Sequence, residues 1–210
     1  MDNNITAFNR EEYLKASFNG FWNEFFSNSV DYYSLLNLEN LIKLKGALSS
    51  INNIITLKLT FQAAKFLFEK EILSLHDYNI LTAHINETKP NANGYDIEEE
   101  FDSCSIIAEV KSNLPCGSII PGSESGRRLY GANQLNNILK DIESLSKGKR
   151  NIRNIKDIKK CLKFIFVLDC DISAINQIIK RSENAVELYQ YSDGKSLTTD
   201  VVYIVPLGLR

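Results

Sequence analysis

The chain has 210 residues, 44% of them hydrophobic, and a formal net charge of −2. That length and apolar content suffice for one packed core with an appended helical subdomain, without staples. The mild acidity excludes the bulk basicity of many DNA-binding proteins, so the placement of charge matters more than its sum. The start, Met1-Asp2-Asn3-Asn4, lacks the basic and apolar stretches of a signal peptide. No segment approaches the roughly twenty apolar residues of a membrane span, and a cytoplasmic protein without membrane contact is expected. Cysteines at 104, 116, 161 and 170 show no close pairing, and His76 and His84 complete no zinc pattern.

In chain order, Glu11 to Asn28 (EEYLKASFNGFWNEFFSN) reads as a helix, with Phe18, Phe21, Trp22, Phe25 and Phe26 near i, i+3, i+4, i+7 spacing. Packing on the main core is the ordinary use of such a face; base stacking and a dimer interface are the alternatives. Leu38 to Leu48 reads as a second helix. Leu57 to Leu73 (LKLTFQAAKFLFEKEIL), free of Gly and Pro, reads as a largely buried third, with Glu69 and Glu71 as wet positions. Asn79 to Glu87 is expected to be a strand.

Two further strands follow. In Tyr95 to Phe101, alternation puts Asp96, Glu98 and Glu100 on one face and Tyr95, Ile97 and Phe101 on the other. In Ser105 to Lys111, Ile106, Ala108 and Val110 share a core face, leaving Glu109 and Lys111 together opposite. Asp102-Ser103 has turn chemistry, so the two runs form a hairpin with Asp96 near Glu109 and Lys111. A Gly, Pro and Ser loop spans Pro115 to Gly126. Leu135, Ile138, Leu139, Ile142 and Leu145 then mark one face of a helix, and Lys163 to Asp169 is a continuous apolar run, as expected of a central strand covered on both sides.

Two carboxylates and an ammonium held close shift one another's pKa values, and the acids repel unless a cation lies between them. Mg²⁺ suits such a pair because it takes oxygen ligands, commonly one or two carboxylates, and leaves other positions to water and phosphate. A lysine alongside orients or deprotonates an attacking water, or offsets charge on the phosphorane. The chemistry so implied is phosphodiester hydrolysis.

At Asp96, Glu109 and Lys111 the chain resembles the PD-(D/E)xK nuclease superfamily, which includes type II restriction endonucleases, junction resolvases and repair nucleases. The family pattern is an Asp at one hairpin strand and Glu-x-Lys or Asp-x-Lys in the next; Tyr95 stands where the family name has proline. The resemblance implies an α/β fold with a restriction-endonuclease-like core of helix, three-strand meander, helix and strand. It divides the chain into a helical N-terminal extension over residues 1–56, packed on the core, and a nuclease core over residues 57–210 with a C-terminal helix and strand.

It further implies a Mg²⁺-dependent DNA endonuclease, with Mn²⁺ as a substitute, Asp96 and Glu109 as metal ligands, and Lys111 as a catalytic residue. Gln134 matches a glutamine that several of these families carry on the helix after the Glu-x-Lys strand, and Asn113 is a lesser candidate. The implied partners are double-stranded DNA and a second copy of the chain, since two strands need two sites. A type II restriction enzyme is the first reading; a Holliday-junction or repair nuclease, or an inactive nucleic-acid or protein-binding module, is the alternative. Between Lys147 and Lys160 seven basic residues face one acid, Asp157. Lys147, Lys149, Arg150 and Arg153 there, with Arg127 and Arg128 upstream, are the candidate phosphate contacts.

Overall fold

Apart from buried Lys163, the residues of the strand Cys161–Leu168 alternate between two separate apolar cores, which is why its sequence reads as an almost continuous apolar run. In the computed structural model the described residues are 9–89, 94–115, 129–149, 155, 157–168, 171–189 and 196–208. Their elements are α1 (Arg10–Phe26), α2 (Leu38–Glu69), α3 (Leu75–Glu87), β1 (Ile97–Glu100), β2 (Ser105–Lys111), α4 (Ala132–Lys147), β3 (Cys161–Leu168), α5 (Ile172–Arg181), β4 (Val186–Leu188) and β5 (Val202–Leu207). The five strands form one mixed sheet in the order β1-β2-β3-β5-β4, antiparallel between β1 and β2 and parallel elsewhere. The protein is therefore of the α/β class.

The chain divides into two compact units, Met1–Ile51 and Asn52–Arg210, with the boundary inside α2. In the first unit, Asn9 caps α1 by accepting the Glu11 and Glu12 N–H groups. The aromatic residues of α1 pack on one another and on Tyr32: Trp22 stacks on Phe26 at 5.6 Å between centroids, and Phe26 lies 5.9 Å from Tyr32.

In the second unit the sheet is covered on both faces. Leu59, Ala63, Ala64 and Leu67 of α2 and Leu81 and Ile85 of α3 pack on Ile106, Ala108, Val110, Phe164 and Phe166. On the opposite face, Leu135, Ile138, Ile142 and Leu145 of α4 and Ala174, Ile175 and Ile178 of α5 pack on Ile107, Ile165, Val167 and Ile204. The face of β2 that carries Glu109 and Lys111 is thus not left to solvent: Ile107 at its other end is core, and α4 covers it.

Two expectations are corrected. Asn79–Glu87 lies within α3 instead of forming a strand, so the meander is reduced to the hairpin β1–β2. The reason is local: Ser74 accepts the Asp77 N–H at 3.1 Å and donates to the Asp77 carboxylate at 2.7 Å, closing an N-terminal cap. Tyr78, Leu81 and Ile85 then fall at helical spacing toward the core. The stretch 38–48 and residues 57–69 of the stretch 57–73 belong to one helix, because no Gly or Pro lies between them, and 70–73 form the turn beyond it.

Candidate active site

The hairpin brings Asp96, Glu109 and Lys111 to one end of the sheet. Asp96 precedes β1 by one residue, and its Oδ2 accepts the Val110 N–H at 2.7 Å, next to Glu109. Glu109 is buried at 5% exposure, and both of its oxygens are engaged: Oε2 accepts from the Lys111 ammonium at 3.1 Å and Oε1 from the Lys149 ammonium. Lys111 also lies 2.6 Å from Asp141 Oδ2. Asp141 comes from α4, on the face between buried Ile138 and Ile142, so the packing that covers β2 also delivers this carboxylate.

Lys149 is held by several groups. Its ammonium donates to the Gly94 carbonyl at 2.6 Å and sits 4.7 Å from the centre of the Tyr95 ring. Its backbone N–H donates to the Tyr95 hydroxyl at 3.2 Å, and that hydroxyl donates to the Ser144 carbonyl at 2.7 Å. Tyr95 is thereby drawn into the core beneath α4, on the opposite side of the sheet from Ile97, because it lies before the strand and does not follow its alternation. Burial pushes the Tyr95 hydroxyl up to about 12, so it stays a neutral donor.

The charges act on one another. Crowding by protein atoms and then the Glu109 charge push the Asp96 carboxyl up to about 6, although the residue keeps exposed surface; the Val110 N–H, Lys111 and Lys149 pull the other way. Burial pulls Lys111 down, but Glu109 and Asp141 together outweigh it, and its pKa lies above the ordinary lysine value. Burial raises Asp141 despite the adjacent Lys111. Lys111 is therefore a held cation at neutral pH.

The other sequence candidates part company. Gln134 lies on α4 two turns before Asp141, and its Oε1 is buried with no hydrogen-bond partner among the described residues. Asn113 is exposed and lies beyond the end of β2. Lys147 is exposed and pairs with Glu143 at 2.7 Å, and Lys149 turns inward to Glu109. Arg127, Arg128, Arg150 and Arg153 lie outside the described residues. Glu69 pairs with Lys65 at 3.4 Å on the exposed side of α2, and Glu71 occupies a left-handed position just past that helix.

Whether a metal fits is a question of donor chemistry. Among the described residues no group of three or more His, Cys, Asp or Glu side chains is placed to hold an ion. Two carboxylates, Asp96 and Glu109, are within the one or two that Mg²⁺ commonly takes, and both Glu109 oxygens are held by lysines. Beside Asp96 a cleft of about 460 Å³ opens, with Ile54, Leu57 and Ile85 as its apolar part and Asn53, Asn86 and Lys89 among its polar lining. No helix among the described residues is long and apolar enough to cross a membrane. No family model, curated protein or solved structure matches the chain.

Proposed function

We propose that the chain is a Mg²⁺-dependent endodeoxyribonuclease with a restriction-endonuclease-like core, acting as a type II restriction enzyme in the cytoplasm. The observation that supports this best is the convergence of Asp96, Glu109 and Lys111 at one hairpin end, with Lys111 kept charged between Glu109 and Asp141. Asp96 and Glu109 would hold Mg²⁺, which supplies an activated water and charge to offset the phosphate. Lys111, a fixed ammonium, neutralises the charge that builds on phosphorus as water adds and the P–O bond breaks. The products are a phosphate monoester and a hydroxyl end. The cleft beside Asp96, apolar on one part and polar on another, suits a nucleotide held next to the scissile group. Cutting both strands of a duplex requires two such sites, hence a homodimer.

The test is incubation of purified protein with plasmid, branched and single-stranded DNA in Mg²⁺ or Mn²⁺, followed by mapping of the ends. Recurrent discrete ends are expected from plasmid. Cleavage confined to branched DNA would make it a junction resolvase instead, and no metal-dependent cleavage of any substrate would overturn the enzymatic reading. One observation favours a binding module without catalysis: both Glu109 oxygens are taken by lysines. Binding of DNA without cleavage in either metal would establish that alternative.

A further inference from the structure

The Lys149 ammonium occupies a cation seat built by other parts of the chain. Its walls are Glu109 Oε1, the Gly94 carbonyl oxygen at 2.6 Å and the face of the Tyr95 ring at 4.7 Å. The seat is in place because Gly94, at φ 122°, takes a backbone conformation that side-chain-bearing residues rarely adopt, and because Tyr95 is tied by its hydroxyl to the end of α4. Lys149 follows Gly148, itself at φ 97°, where the chain turns out of α4. Lys111 and Lys149 both pair with Glu109 and Lys111 also with Asp141, while Asp96 accepts the Val110 N–H next to Glu109. Lys111 is shared between Glu109 and Asp141, whereas Lys149 pairs with Glu109 alone among the described acids. One of the two lysines is therefore surplus to the hydrolytic roles above.

The geometry points to Lys149 as a tethered counter-ion for Glu109, one that must leave Glu109 Oε1 before a divalent cation binds there. This inference rests on the proposed metal role of Asp96 and Glu109. With Lys149 seated, Glu109 is compensated at both oxygens and a divalent ion meets an opposing charge; with Lys149 withdrawn, Glu109 Oε1 is left uncompensated and attracts the ion. The stem of Lys149 is partly exposed, at 26%, so the ammonium has a route to solvent. Its role is thus to keep the buried Glu109 paired when no metal is bound, since an unpaired buried carboxylate is costly.

The experiment is Mn²⁺ titration, by calorimetry, of wild type, Lys149→Met and Asp96→Asn. Lys149→Met is expected to bind Mn²⁺ at least about tenfold more tightly than wild type, and Asp96→Asn to lose the binding. If wild type binds through Asp96 and Lys149→Met leaves affinity unchanged or weaker, the counter-ion role falls while the metal reading stands. If neither wild type nor Lys149→Met shows Asp96-dependent binding, both fall. A measurement on wild type alone guards against a variant that fails to fold: acetylation of Lys149 by an N-hydroxysuccinimide ester, read by mass spectrometry, should rise as Mn²⁺ saturates. Protection or no change on saturation would overturn the release of Lys149.

Discussion

The Lys111 ammonium, at the end of β2, lies 2.6 Å from Asp141 of α4 while it also donates to Glu109 at 3.1 Å. An ammonium so placed has one carboxylate to either side, and that keeps it charged despite burial. On the proposed function, Asp141 holds Lys111 in place. Asp141→Asn should reduce cleavage by about 10- to 100-fold, the usual effect of losing a group that orients a reacting one, and should lower the Lys111 pKa in a ¹⁵N NMR titration. Asp141→Glu should restore part of both. A purely structural Asp141 would change thermal stability and leave the Lys111 titration where it is.

Replacement of the three converging residues should separate chemistry from folding. Asp96→Asn, Glu109→Gln and Lys111→Ala are each expected to lower kcat by at least about 100-fold in a plasmid-nicking assay. Their stabilities should differ. Glu109→Gln removes the shared partner of Lys111 and Lys149 inside the protein and should lower the melting temperature. Asp96→Asn relieves repulsion from Glu109 and should leave it unchanged or higher at pH 8. Full cleavage by any of the three would remove that residue from the mechanism.

The same carboxyl sets a pH dependence. The Asp96 pKa is about 6 in the folded protein and near 3.8 in the unfolded chain, so between those values the folded state binds the extra proton. Stability from this group is therefore fully present below about 3.8 and is lost as pH rises through 6. The proposed metal binding needs the ionised form and runs the opposite way: Mn²⁺ affinity should fall as pH drops below about 6. Glu109→Gln should bring the Asp96 midpoint down, because it removes a charge that raises it. A ¹³C NMR titration of the Asp96 carboxyl checks both, and a midpoint near 4 in wild type would count against the crowding described above.

Legibility followed the range of the interactions. Strand alternation is local, and it placed Glu109 and Lys111 on one face and Ile106, Ala108 and Val110 on the other. Asp141 and Lys149 reach the same point only through the packing of α4 on β2, and no spacing near either residue carries that information. A cue existed for Asp141, an acid between Ile138 and Ile142 on the apolar face of α4, where a charge needs a partner. Residues 79–87 were open to a strand reading because short apolar runs are ambiguous between periods. The Ser74–Asp77 cap, also written locally, was the signal that decided for helix. Tyr95 broke the alternation because it sits outside β1 and its hydroxyl finds a partner on α4.

A last prediction concerns stability alone and leaves the site untouched. α2 ends in a reverse turn in which the Ile72 N–H donates to the Leu67 carbonyl and the Glu71 N–H to the Phe68 carbonyl, each at 2.9 Å. That hydrogen-bond pair is the Schellman arrangement, which places its penultimate residue in the left-handed region, where glycine is the usual occupant. Glu71 holds that position at φ 57°. A residue with a Cβ is strained there by about 1 kcal/mol. The turn must nonetheless form, because Leu73 beyond it packs in the core with Leu67. Glu71→Gly removes the strain but enlarges the freedom of the unfolded chain, and the first effect exceeds the second at a left-handed cap. The variant should gain up to about 1 kcal/mol in urea denaturation, with metal binding and cleavage unchanged. A loss of stability would mean that the Glu71 side chain contributes more to the turn than its backbone strain removes.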